Sequence, residues 1–181
     1  MTERLWFQQA VEGCFVKGLG NDLTPALRAD LASLGIDVEH LLPGYPVELV
    51  SKGLRVTAKH LPHPDGEAAA LRELGRRFML GYQQTFIGRA MVTMMGVLGV
   101  HRTLPRMKRN ISTGGNFMET RFTLLEPGRG LLWLSDVGGV PDFWEGVLLQ
   151  GAVFSNAPTT TVTYATDLNG PGCTYEIQFP A

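Results

Sequence analysis

Along the first 110 residues apolar positions recur mainly at intervals of three and four, and beyond them the pattern shortens toward alternation. Trp6, Phe7, Ala10, Val11, Cys14 and Phe15 form one stripe if residues 3–19 are helical. A second helix is predicted after "NDLT": Thr24 suits the N-cap, Pro25 the first helical position, and Gly35 the stop. Pro43, Gly44 and Pro46 interrupt the chain, which re-enters helix after Val47 up to about His60; "LPHPDGE" reads as a loop. From Glu67 onward Leu71, Leu74, Phe78 and Tyr82 keep helical spacing, with Arg72, Glu73, Arg76 and Arg77 mostly on the other side. A further helix is predicted over 88–104, where Met91, Met94, Met95 and Leu98 share a face and Gly96 and Gly99 permit close packing.

The later segments "FMETRFTLL", "GLLWLSD", "TTTVTYATD" and "TYEIQF" are rich in β-branched and aromatic residues, with "EPGRG" and "NGPG" between them. They read as four antiparallel strands. "VPDFWEGVLLQGAVFSNA", with Pro141 near its start and Phe143, Val147, Leu148 and Gly151 on one stripe, inserts a helix between the second and third. The expected class is α+β, a single domain over 1–181 that is mainly helical over 1–110 and sheet plus helix over 111–181.

Composition narrows the functional classes. A net charge of −1 is unlike the strong positive excess of a general nucleic-acid binder. Cys14 and Cys173 lie near opposite ends without CxxC or Cys/His spacing, so neither zinc nor a disulfide framework is indicated, and a reducing cytoplasm is expected. Glu3, Arg4 and Glu12 break up the apolar core that a signal peptide would need. The uncharged run Ala90 to Val100 is far below the roughly 20 residues of a membrane span.

No catalytic motif emerges. There is no GxSxG, HExxH or GxGxxG; "STGGNF" lacks the lysine and spacing of a P-loop and reads as a turn, and "HLPH" around His60 and His63 reads as a rigid loop before a metal site. His101 follows Met94 by seven residues, about 20° away in projection on a continuous helix, which puts it at the edge of the methionine face. There it either looks inward as a ligand for a haem iron or simply ends the helix, favoured by the negative pole of the dipole. Arg102, Arg106, Lys108 and Arg109 either meet an anionic partner or form a solvated terminus. Met79, Met91, Met94, Met95, Met107 and Met118 suit a polarizable ligand lining, but most apolar helical stripes are simply core, and ordinary packing accounts for the same residues without a ligand.

Through "LGIDVEHLLPGYP", "LGRRFMLGYQQTFIGRAM" and "RNISTGGNF" the chain resembles an uncharacterised family of similarly sized myxobacterial proteins. More distantly, its layout resembles the haem nitric-oxide/oxygen-binding (H-NOX) domains and the vinyl-reductase-like ligand-binding domains. "FQQAVEGCFVKGLGNDLTPALRADLASLGID" is similar to their paired N-terminal helices, "ELGRRFM" to their central helix, and "GRAMVTMMGVLGVH" to the segment ending in the proximal histidine. The resemblance implies an H-NOX-like fold with His101 as iron ligand. The Tyr-x-Ser-x-Arg motif that holds haem propionates falls on Trp133, Ser135 and Val137, so its arginine is absent, which weighs against haem.

Three functions follow as expectations. The first is a non-enzymatic sensory or carrier domain that encloses a small hydrophobic molecule between helices 67–104 and the sheet and signals to a protein partner. Its expected lining is Phe78, Tyr82, Met91, Met94, Met95, Leu98, His101 and Trp133. The second is a haem gas sensor built on His101. The third is a ligand-free interaction or homodimerisation module docking through Trp144 or Phe154.

Overall fold

A computed structural model describes residues 3–61 and 63–181. It shows an α+β architecture in which a helical N-terminal part leads into a four-stranded antiparallel sheet.

The first element departs from the expected helix. Leu5–Phe7 is a short strand, β1, paired antiparallel with β2, Gly44–Pro46. Only from Gln8 does the chain turn helical, as α1, Gln8–Glu12, followed by a wider π-helical stretch, Gly13–Lys17. "STGGNF" explains the difference, because it supplies β1 with a second neighbour: Phe7 N–H donates to the Gly114 carbonyl at 2.8 Å and Leu5 N–H to the Asn116 side-chain oxygen at 2.7 Å. Backbone groups paired on both sides in this way hold Trp6 and Phe7 extended against their local periodicity.

The next helices follow the sequence reading closely. α2 is Pro25–Ser33, and the Thr24 hydroxyl accepts from the Leu27 N–H at 3.2 Å. α3 is Val47–His60 and α4 is Glu67–Tyr82. Pro62, within the expected loop, lies outside the described residues.

The helix expected over 88–104 is broken. α5 spans Phe86–Leu98, capped by the Thr85 hydroxyl accepting from Gly88 N–H at 3.0 Å, and it stops where Gly99 takes φ +69°. That left-handed backbone is open to glycine at little cost and turns the chain away from the α5 axis. α6, Val100–Thr103, a 3₁₀ turn at Leu104–Arg106 and α7, Met107–Ile111, continue in a new direction.

β3, Thr120–Glu126, β4, Arg129–Leu134, β5, Thr161–Thr166, and β6, Cys173–Gln178, form the sheet in the order β3-β4-β6-β5. α8, Pro141–Phe154, is inserted between β4 and β5. Leu132 and Leu134 of β4, Val162 of β5 and Cys173, Tyr175 and Ile177 of β6 are buried on one sheet face and join a contiguous apolar cluster with α4 and α8. At the α4–α8 crossing, helix backbones touch without intervening side chains, at Gly75 and Gly146.

Candidate functional site

Beside this core lies a hollow of about 70 Å³. Its wall is almost wholly apolar. α4 contributes Phe78, Met79 and Tyr82; α5 contributes Met91 and Met95; α8 contributes Trp144, Val147, Leu148 and Gly151. The segment after Gly99 closes another side with Val100, Leu104, Met107 and Ile111, and Ile177 reaches in from β6. Trp6 sits at the centre of the aromatic wall, with ring centroids 5.9 Å from Phe78, 5.4 Å from Phe117 and 5.6 Å from Trp144.

Polar groups on the wall are few. The Tyr82 hydroxyl donates to Thr113 Oγ1 at 3.0 Å, and the Thr113 hydroxyl lies 2.6 Å from the Asn110 carbonyl and 3.8 Å from the Met91 sulfur. Burial holds the Tyr82 phenol above its ordinary pKa, so it is a neutral donor and not a phenolate. The hydroxyls of Thr103 and Ser155 are buried and have no hydrogen-bond partner among the described residues. Both residues are part of the wall.

Of the eight residues of the expected lining, Phe78, Tyr82, Met91 and Met95 meet at this hollow, and Met94, Leu98, His101 and Trp133 do not; Met79 and Met107 from the wider methionine set also reach it. α5 turns Met91 and Met95 inward, four residues apart, which leaves Met94 on the outer side, 57% exposed. Leu98 is half-buried at the end of α5. The projection from Met94 to His101 assumed one helix axis; the break at Gly99 swings His101 to the surface, where its ring stands edge-on to Phe179 at 5.2 Å. Trp133 alternates with the buried Leu132 and Leu134 and so occupies the other sheet face, donating from Nε1 to Asp167 at 3.1 Å beneath the Arg121 guanidinium. Trp144, expected to dock a partner, is 5% exposed, and Phe154 is only half-buried.

Beyond Gly99 the methionine pattern points to Met107 alone, and the rest of that wall was missed. Val100, Leu104 and Ile111 join Met107 at intervals of four, three and four residues, an amphipathic signal that the conspicuous basic run masks. His60 and His63 are separately engaged, His60 with Asp30 at 2.7 Å and His63 with Asp65 at 3.6 Å. No group of three or more potential metal ligands occurs among the described residues. Nor is any helix among them long and apolar enough to cross a membrane.

Residues 4–179 match the family model described as a protein of unknown function, DUF2378. The chain belongs to the DUF2378 family. No curated protein matches it in sequence. Among solved structures, this DUF2378 chain is similar to an H-NOX protein from S. oneidensis, determined in an Fe(II)NO ligation state, with a TM-score of 0.73 and 11% identity, covering 97% of this chain and 100% of that one. It is also similar to the unliganded Fe(II) H-NOX protein from K. algicida, with a TM-score of 0.62, 8% identity and coverage of 97% of each chain. For a mutant T. tengcongensis H-NOX structure the TM-score is 0.64 at 10% identity, covering 96% of this chain and 97% of that one. The DUF2378 chain therefore has an H-NOX-like fold.

Haem, which that fold brings to mind, does not fit these residues. Among the described residues the wall holds no imidazole and no thiol, its phenol is committed to Thr113, and no arginine or lysine lines it to meet propionates. A tetrapyrrole is also far larger than the free space. Position 137, where the propionate motif would place its arginine, is a buried valine.

Proposed function

We propose that this DUF2378 protein is a non-enzymatic sensory or carrier domain that takes a small, uncharged, largely apolar molecule into the hollow between α4, α5–α7 and α8. The observation that supports this reading is the cavity itself. A hollow lined mainly by thioether and aromatic groups offers water few partners, and leaving this much of it unfilled costs about 2 kcal/mol of stability. A guest that fills it recovers dispersion contacts that water cannot provide. Thr103 and Ser155 supply hydroxyls for at most one hydrogen-bonding group on such a guest.

Met95 and Val100 border the guest from opposite sides of Gly99, so occupancy acts on both arms of the bend, and we take this to be the route by which it is signalled to a protein partner. The same reading treats residues 1–181 as one domain working in a reducing cytoplasm, where two buried free thiols are at home. A haem-based gas sensor is not supported, since His101 lies outside the wall.

Native mass spectrometry of the purified chain, together with solvent extraction, is expected to reveal a small molecule at stoichiometric amount. Saturating benzene supplied to stripped protein is expected to raise the melting temperature by roughly 5–10 °C. Gly151→Leu, which puts a side chain into the hollow beside Met95, removes that increment. A chain that carries no guest and melts at the same temperature with and without benzene overturns the reading.

A further inference from the structure

Charge is distributed very unevenly along this nearly neutral chain. Between Glu73 and Glu119 there is not one acidic residue, whereas Arg76, Arg77, Arg89, Arg102, Arg106, Lys108 and Arg109 all fall there; the remainder carries nine basic residues against seventeen acidic ones. Within that stretch Arg77 is neutralised by Asp22 and Glu73. Arg89, Arg102, Arg106, Lys108 and Arg109 are exposed and make no ion pair among the described residues.

α5 lies within the same stretch and is apolar on both sides. Its inward arc is Gly88, Met91 and Met95; its outward arc carries Phe86, Ala90, Met94 and Val97, which fall within about 80° of one another in helical projection. Phe86 is 90% exposed and Val97 78%. Arg89 is the only charged residue of the helix. An apolar stripe about 20 Å long, facing water and continuing through Gly99 into cations with no acidic partner among the described residues, is not what a solvated helix requires.

We infer that the outward face of α5, with the cations of α6–α7, docks on an anionic lipid surface. The surrounding charge selects the occupant. Two copies meeting through α5 would bring one acid-free segment against another, so like charges oppose self-association. A phosphate-rich nucleic acid satisfies the cations and leaves Phe86 and Val97 in water. Side chains as exposed as these protrude from the surface and form no groove for a partner's helix, whereas an anionic bilayer accepts both parts at once. Its headgroups meet the arginines and lysine, and its outer acyl region receives the phenyl and isopropyl groups.

The test is flotation of the full chain with vesicles of phosphatidylcholine alone and with vesicles containing about one third phosphatidylglycerol, at low and at raised salt. Binding to the anionic vesicles only, weakened by salt, is expected. Phe86→Ser with Val97→Ser, and separately Arg106→Glu with Lys108→Glu, are each expected to weaken it roughly tenfold or more while far-UV circular dichroism stays unchanged. No flotation with anionic vesicles at low salt overturns the inference, including the case in which polyglutamate is bound instead. Flotation that survives both double variants overturns it as well, since another face is then responsible.

Discussion

Gly75 of α4 and Gly146 of α8 hold their helices together by exposing backbone to backbone: a methyl on Gly75 would run into the Phe143 carbonyl oxygen and stand 2.9 Å from the Val147 nitrogen, and one on Gly146 would strike the Arg72 carbonyl. Neither obstacle is a flexible side-chain end, so the helices themselves must separate. Gly75→Ala and Gly146→Ala are each expected to destabilise the fold by about 3 kcal/mol or more, beyond the gain in helix propensity. Chemical denaturation followed by circular dichroism reads this directly, and a variant as stable as the parent contradicts the close approach.

Gly151 makes the opposite prediction from the same helix. Its added methyl would point toward the hollow, meeting only the terminal carbon of Met95 at 3.4 Å. Gly151→Ala is therefore expected to stabilise the protein by about 1 kcal/mol, chiefly through helix propensity. A loss of stability would mean that the hollow is tighter at that point than the structure shows.

Haem supplementation is expected to leave the protein colourless. Since His101 is exposed and no cation among the described residues lines the wall, expression with excess haem should give no Soret band, and His101→Ala should change neither the spectrum nor the melting temperature appreciably. A stoichiometric Soret band lost on that substitution would contradict the placement of the histidine.

Alkaline pH is expected to weaken the fold. Burial raises the Cys14 and Cys173 thiols above their usual value of 9.0 and Tyr82 and Tyr175 above 10.0. Between the unfolded and the raised folded values the unfolded chain has released protons that the native chain retains. Stability is thus fully present below about pH 9 and falls as pH rises beyond it. Denaturation midpoints across pH 7 to 11 follow that slope, and Cys14 should resist a thiol reagent until the chain unfolds. Flat midpoints over the range would rule out this account.

Much of this architecture is legible in the residues. Thr24 with Pro25, the Leu71–Tyr82 repeat, Pro141 and the four β-rich segments each announce their element through local chemistry, and the structure places them accordingly. What local pattern does not carry is partner choice. Trp6 and Phe7 continue a helical stripe in sequence, but β2 and the Gly114–Asn116 turn claim their backbone as a strand. Phe78, Tyr82, Met91 and Met95 reach the hollow because they lie on the inward sides of α4 and α5, whereas Met94, on the same α5, takes its outer side. The placement of His101 was not legible, since a single left-handed glycine resets every projection downstream. Trp133 was misplaced for a simpler reason, because an aromatic strand residue gives no sign of which sheet face it takes until Leu132 and Leu134 are seen buried.

Gly99 has a mechanical consequence. Met95 and Val100 are the two short levers of one elbow, and both end in the hollow; Phe86 and Val97 ride on the first long arm, Arg106 and Lys108 on the second. On the proposed reading, a bulkier guest presses on both levers and is expected to tilt the greasy and charged outer surfaces against each other about that pivot. Stiffening that joint with a residue that resists positive φ would uncouple the inside of the molecule from its outside.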